Sequence, residues 1–291
     1  CSSDLKDWIK LTFGTVSTLH YIVQAYTKEG EGVLINTPAY DPFAEAVVNN
    51  NRKLCCSSLK LDNNRYYLDL EDMENQMKYE NIRLLIFCSP QNPSGRIWTK
   101  EELYQVSELC LKYNVILVSD EIHRDIIFKD YRFVSLWNAH PEIYKNSIIC
   151  VSPNKGFNLG GLKTSYVLIR DVKIRETLLE RLKSNSITSP NVFAIPAIVA
   201  AYNESEEWLD AMTSYVEENF EIVYDFFETN IPKAKVMKSD SSFLAWIDVR
   251  EVFRNEEESK EFFRHANLTM VVGSYFVKDG DGFIRINVGC P

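Results

Sequence analysis

Ile148-Ile149-Cys150-Val151-Ser152-Pro153-Asn154-Lys155-Gly156-Phe157-Asn158-Leu159-Gly160-Gly161-Leu162-Lys163 is the stretch around which the rest of the chain is read. Its first four residues are an apolar run, the mark of a short buried strand. Ser152-Pro153-Asn154 are turn formers and stop it, and Lys155 follows at once, ahead of a glycine-rich turn. A lysine at the end of a buried strand loses part of its hydration, which lowers its pKa and makes its amine a usable nucleophile toward a carbonyl. Ser152 lies three residues before it and Lys163 eight after, so a hydroxyl and a second cation can hold an anion nearby. On this spacing alone a solvated loop lysine is an equal alternative.

Outward from this stretch the same arrangement repeats. Leu84-Leu85-Ile86-Phe87-Cys88 is continuously apolar, as a strand buried on both faces would be, and runs into Ser89-Pro90-Gln91-Asn92-Pro93-Ser94-Gly95. A helix is expected over Lys100–Lys112, where Thr99 and Glu102 form a capping box. Val115-Ile116-Leu117-Val118 is a further buried strand, followed by Ser119-Asp120-Glu121-Ile122-His123. Upstream, Val33-Leu34-Ile35 leads into Thr37-Pro38-Ala39-Tyr40-Asp41-Pro42-Phe43, a rigid loop that holds an aromatic ring. Helices are expected at 15–28, 43–51 and 69–79, with a strand over 52–61. Strand, helix, strand in this rhythm implies βαβ units: an α/β fold with a mainly parallel sheet sandwiched by helices. In such sheets ligands sit at the carboxyl ends of the strands. Tyr40, Asn92, Asp120 and Lys155 all fall just beyond such ends. Thr12-Phe13-Gly14-Thr15 opens the 15–28 helix and presents free backbone amides to a phosphate, although an ordinary N-cap reads the same way.

After Lys163 come an expected strand at 165–169, helices at 172–185 and from Ser189 to Tyr202, and a long amphipathic helix over 206–230. Trp208, Leu209, Met212, Tyr215, Val216, Phe220 and Val223 mark its apolar face. The rhythm then changes to strands at 234–238, 242–248, 269–272 and 282–288 around a helix at 256–267. This division gives a large domain over 1–207 and a smaller α+β domain over 208–291. The net charge of -9 argues against nucleic-acid or anionic-membrane partners. No apolar stretch approaches membrane-spanning length and Cys1-Ser2-Ser3-Asp4 is no signal peptide, so a cytoplasmic setting is expected. The seven cysteines include no C-x-x-C pair, and adjacent Cys55 and Cys56 read as core or edge thiols rather than a redox pair. The four histidines lack metal-ligand spacing, so no metal is expected.

As chemistry, the strand-end groups complement one another. Lys155 can form a Schiff base with an aldehyde, and Asp120 can pair with a protonated ring nitrogen. Asn92 can donate to a phenolate-type oxygen, Tyr40 can stack on an aromatic ring, and Gly14, Thr15, Ser152 and Lys163 offer a phosphate cup. Aldehyde, ring nitrogen, phenolate and phosphate together describe pyridoxal 5′-phosphate. The plainer alternatives are a structural strand-end turn for Asp120-Glu121 and a simple β-turn for Asn92-Pro93-Ser94-Gly95.

With those residues in view, the chain resembles the fold-type I pyridoxal-phosphate enzymes of the class I/II aminotransferase superfamily. Asn92-Pro93-Ser94-Gly95, Asp120 28 residues after Asn92, and Lys155 35 after Asp120 have that superfamily's order and spacing. Pro38 to Phe43, Asn92 to Trp98, Ser119 to His123, Gly161 to Tyr166, Ser189 to Phe193 and Phe283-Ile284-Arg285-Ile286-Asn287 are similar to the MalY/PatB-type cystathionine β-lyases (C–S lyases). The resemblance implies that Lys155 is the Schiff-base lysine and proton shuttle. It implies that Asp120 partners the pyridine nitrogen, Asn92 the phenolic oxygen and Tyr40 the ring face, with Ser152 and Lys163 on the phosphate. His123 joins the cofactor contacts, standing where aminotransferases often carry a tyrosine, and Arg285 is the implied clamp for the α-carboxylate of a small amino-acid substrate. The implied activity is cleavage of a Cβ–S bond in cystathionine or cysteine-like amino acids, giving a thiol, pyruvate and ammonia, in a homodimer. An aminotransferase, or a non-catalytic protein keeping the fold, is the alternative. Gly156 and Gln91 depart from the usual threonine and histidine. The family's front segment, which closes the site and lends a tyrosine to the partner's phosphate, is expected to be absent, as is a short tail.

Overall fold

A seven-stranded sheet forms the centre of the computed structural model, which describes residues 5–290. Its strands lie in the order Ile9–Thr12, Ser165–Leu168, Ser147–Val151, Ile116–Asp120, Ile82–Cys88, Gly32–Thr37, Lys53–Ser58. The pairings from Ser147–Val151 across to Lys53–Ser58 are parallel, and the two at the Ile9–Thr12 edge are antiparallel. The α/β sandwich with a mainly parallel sheet is therefore the observed architecture.

The period of two along each strand divides the apolar runs between two cores. Leu34, Leu85, Leu117 and Ile149 point into one, where Met73 and Met77 of the helix Leu70–Tyr79 meet Leu103, Val106 and Cys110 of the helix Lys100–Tyr113. Val33, Ile35, Leu84, Ile86, Val118 and Ile148 point into the other, covered by Leu19, Ile22 and Val23 of the helix Thr15–Tyr26 and by Leu178 and Leu182 of Val172–Ser184. Each such side chain, fully buried, contributes about 1.5–3 kcal/mol of transfer free energy. The sheet is thus a rigid floor whose carboxyl edge carries the loops of interest. Thr99 and Glu102 form the expected capping box.

A second sheet, antiparallel, runs Lys235–Val236, Leu244–Asp248, Phe283–Asn287, Val271–Val272. A two-residue strand, Phe276–Val277, pairs with Ala39–Tyr40 beside the first sheet. The Thr37 hydroxyl donates to Asp279 at 2.5 Å across the same junction.

The structure corrects several boundaries. The strand expected over 52–61 is broken: Lys53–Ser58 belongs to the large sheet, and Lys60–Asp62 turns back onto Arg65–Tyr67. Asn63 and Asn64 make that turn at φ 49° and 59°, a conformation asparagine tolerates. The strand Ile9–Thr12 has no counterpart in the expected set, and the helix expected from Ser189 begins at Ala194. In the helix Glu206–Asn230 only Val216 and Phe220 of the apolar stripe are buried; Trp208 and Tyr215 are nearly half exposed. Among the described residues no helix is long and apolar enough to cross a membrane.

Candidate active site

The carboxyl ends of the strands open into a cavity of about 1080 Å³. Gly14, Thr15, Tyr40, Asn92, Asp120, His123, Ser152, Lys155, Lys163 and Arg285 all line it, so every residue singled out from the sequence meets there. Asp120 is the last residue of the strand Ile116–Asp120 rather than lying beyond it. It is buried, only 2% exposed, with the Ile122 amide donating to its carboxylate at 3.3 Å. Burial pushes its pKa up to about 7 against that bond; Glu121 raises it further and Lys155 opposes. Its neighbour Glu121 is equally buried but faces away, accepting from the Ser135 hydroxyl and the Leu136 amide at the start of the next helix. The pair therefore divides: Asp120 faces the cavity and Glu121 is structural.

Lys155 follows the strand Ser147–Val151 in a tight turn in which the Phe157 amide donates to the Pro153 carbonyl at 2.9 Å. Burial holds the Lys155 ammonium below its usual pKa, the Arg285 and Lys163 charges push the same way, and Asp120 opposes them. Its Nζ sits 5.9 Å from the centre of the Phe243 ring. Gly156 has a local reason: a Cβ there would lie 2.8 Å from Asp125 Cβ. Asp125 is fixed by the Tyr202 hydroxyl at 3.2 Å.

Arg285 extends from the second sheet and donates to Asn92 Oδ1 at 3.2 Å. With its Oδ1 so engaged, Asn92 has its amide Nδ2–H₂ left to donate elsewhere. The Arg285 guanidinium also stacks over Phe276 at 5.0 Å, and burial lowers its pKa. His123 is buried and its pKa is pushed down to about 3, by desolvation first and then by the Lys155 and Arg285 charges, so the imidazole is neutral. Nδ1 lies 3.2 Å from the Ser242 hydroxyl, while Nε2 has no partner. In the tautomer where Ser242 donates to Nδ1, Nε2 carries an unused proton.

Another part of the cavity lining is suited to an anion. Gly14 caps the helix Thr15–Tyr26 at φ 83° without any side-chain cap, which leaves first-turn amides and the positive end of the helix dipole to a ligand. Lys163, itself left-handed at φ 52°, packs beside it: a Cβ on Gly14 would lie 3.8 Å from Lys163 Cβ. The Ser152 hydroxyl donates to the Thr164 carbonyl at 2.5 Å and accepts from the Asn154 amide at 3.1 Å, so its proton is already engaged. These groups fit pyridoxal 5′-phosphate: an amine of lowered pKa, a buried carboxylate, a free amide donor, an unpartnered imidazole nitrogen and an open helix start.

Phe243, Trp208, Met212, Val271 and Asn287 also line the cavity and were not singled out as site residues. Asn287 had a signal: it lies two residues beyond Arg285 on one strand, hence on the same face. Among the described residues no cluster of potential metal ligands exists.

A lysine, a carboxylate and an anion seat gathered at the carboxyl edge of a parallel α/β sheet define an enzyme-like centre for a phosphorylated aldehyde cofactor. The match of residues 6–291 to the aminotransferase class I and II family model then identifies the chain as a member of that family. Among curated relatives, cystathionine beta-lyase PatB of Bacillus subtilis is 34% identical over 278 residues, covering 95% of this chain and 72% of that protein. Protein MalY of Escherichia coli is 30% identical over 278 residues, covering 93% and 69%. Among solved structures, cystalysin from Treponema denticola, which contains a pyridoxal 5′-phosphate cofactor, superposes with a TM-score of 0.95 at 34% identity, covering 98% of this chain and 73% of that one.

Proposed function

We propose that this chain is a pyridoxal-phosphate-dependent Cβ–S lyase acting on cystathionine or cysteine-like amino acids and working as a homodimer. The observation that carries the reading is the convergence of Lys155, Asp120, Asn92 and Arg285 on one cavity, in a chain similar to PatB along almost its whole length. Bound there, the cofactor supplies an aldehyde for an amine and an electron-withdrawing ring that spreads charge developing at the substrate's Cα. Lys155, its ammonium destabilised by burial, gives up its proton readily and would be the amine that holds the aldehyde and the base for the proton at Cα. Asp120 would hold a proton at the ring nitrogen, and Asn92 Nδ2 and His123 Nε2 would be the donors available to the phenolic oxygen. Gly14, Thr15 and Lys163 would hold the phosphate, with Ser152 accepting the Asn154 amide to shape that loop. Tyr40 would cover the ring, and Arg285 would take the α-carboxylate as a planar two-pronged donor. The division into domains at 207/208 belongs to the same proposal, supported by the change from a mainly parallel to an antiparallel sheet.

With cystathionine or cysteine the loaded protein should release pyruvate and ammonia in equal amounts with no keto acid added. Turnover that requires a keto-acid acceptor would instead make it an aminotransferase, the reading the family's own name favours. Lys155→Ala should abolish both turnover and the visible absorbance of a lysine-linked pyridoxal.

A further inference from the structure

Arg285 is a half-buried cation on the antiparallel sheet. Asn92 Oδ1 accepts from it at 3.2 Å, and the Phe276 ring lies against its guanidinium at 5.0 Å. The two contacts differ in what they use up. The amide oxygen occupies an N–H donor on one edge, whereas a ring face attracts the positive charge through its quadrupole and takes no strong in-plane hydrogen bond. A carboxylate in the place of Phe276 would engage the forked donors that an incoming carboxylate needs. An aromatic face therefore offsets part of the cost of burying the charge and leaves the fork free.

The Phe276 ring is itself held by others. It is buried and meets the Trp246 indole at 64°, with ring centres 4.7 Å apart. Trp246 stands across from Arg285 on the neighbouring strand, stacks on Phe283 at 5.0 Å and 7°, and donates to the Tyr66 hydroxyl at 3.2 Å. Phe276, Trp246 and Phe283 belong to the same core as Leu85 and Leu117 of the parallel sheet, so packing fixes the ring against which Arg285 rests. From this, and resting on the assignment of Arg285 to the α-carboxylate proposed above, we infer that Phe276 is the positioning residue for that arginine. Its face, anchored through Trp246 and Phe283, fixes where the guanidinium fork points and so sets the affinity for the substrate's carboxylate. Phe276 does not line the cavity, so it acts through Arg285 and not on the reacting atoms.

The test compares Phe276→Leu, which keeps an apolar side chain without a ring, with Phe276→Tyr and Arg285→Gln, all in the full chain loaded with pyridoxal phosphate. KM and kcat for L-cysteine are measured beside the Kd of propionate, a carboxylate without an amine, titrated by the visible absorbance. Phe276→Leu should raise both KM and the propionate Kd about three- to thirtyfold, the span of a partly desolvated cation–π contact. Its kcat should be unchanged, the signature of lost binding alone, and Phe276→Tyr should keep the unaltered values. A general loosening of the core would lower kcat and cofactor retention too; that pattern, or an unchanged propionate Kd, would overturn the inference. A second measurement uses the cofactor-free chain with isotope-labelled arginine. The Arg285 δ-methylene signal, identified by its loss in Arg285→Gln, should lie upfield through the Phe276 ring current and move back in Phe276→Leu. A signal at the ordinary arginine position in the unaltered protein would overturn the inference even if Phe276→Leu does not fold. If Arg285→Gln leaves the propionate Kd as it was, the carboxylate reading of Arg285 fails instead, and the δ-methylene signal still decides whether Phe276 holds that side chain.

Discussion

Asp120 shows how one residue's role works against the stability of the fold that holds it. Its folded carboxyl keeps a proton up to about pH 7, whereas the ordinary value is 3.8. Between those limits the folded chain binds more protons than the unfolded one, so stability falls as pH rises through this window. In the cofactor-free protein, Asp120→Asn should therefore stabilise at pH 8 by about 2–4 kcal/mol and have little effect near pH 4. Thermal melts at the two pH values check this; a gain of equal size at both would mean that Asp120 is not the titrating group. The same substitution should weaken cofactor retention at least about tenfold, because the protonated ring nitrogen loses its anionic partner. Arg285→Gln is expected to raise KM for an amino-acid substrate by about 10- to 100-fold, the range for losing hydrogen bonds to a charged group; an unchanged KM would remove Arg285 from the carboxylate. Asn92, Asp120 and Lys155 were legible in the sequence because they stand at or just past strand ends in short, spaced motifs, whereas Arg285, in mid-strand, was pointed to only by the family resemblance. Phe243 and Met212 were not, because a side chain that contributes only shape has the same composition as the core.

At the scale of elements, the segment from Ser239 to Phe243 fastens two site loops and the strand Arg65–Tyr67 together. The Asp240 amide and the Ser241 hydroxyl both donate to the Gly95 carbonyl, holding the turn that follows Asn92. The Asp240 carboxylate accepts from both Arg65 nitrogens at 2.7 and 2.8 Å and from the Ile97 amide at 2.9 Å, and Ser242 meets His123. A second fastening is the close approach of Gly156 to Asp125. Gly156→Ala should displace the Lys155 loop and lower turnover at least about tenfold, a small misplacement of the reacting groups being enough. Asp125→Gly, which removes the Cβ that an alanine would strike, should restore part of that loss in the double variant. A double variant no better than Gly156→Ala would show that some other contact fixes this glycine. The buried strands and their helices were readable because apolar runs and capping boxes act locally. The break at Leu59, the edge strand Ile9–Thr12 and the pairing of Phe276–Val277 with Ala39–Tyr40 depend on partners distant in sequence, and periodicity cannot reveal those.

At the scale of the whole molecule, the cavity belongs to both sheets: Asp120 ends a strand of the mainly parallel one, Lys155 follows another of its strands, and Arg285 lies in the antiparallel one. The Tyr40–Phe276 pairing links them, since Tyr40 lines the cavity while Phe276 carries the Arg285 guanidinium on its ring. Around the start of the helix Ala194–Glu204 the surface is unusual. Val192 is 80% exposed, Phe193 66% and Ile195 52%, with Val199 and Trp208 each nearly half exposed. A group of large apolar side chains left in water costs free energy that an association would recover, and such patches mark interfaces. The homodimer proposed above can use this surface, which would bring a neighbour close to Trp208 at the cavity. Sedimentation velocity of the unaltered protein at micromolar concentration should give a dimer. Phe193→Glu should raise the dimer dissociation constant at least about thirtyfold, the effect of losing an aromatic anchor worth about 2 kcal/mol or more. Glu29→Lys, a change on the surface away from this patch, should leave association as it was. A dimer equally tight in the Phe193→Glu variant would move the interface elsewhere on the molecule, and a monomer in the unaltered protein would remove the homodimer altogether.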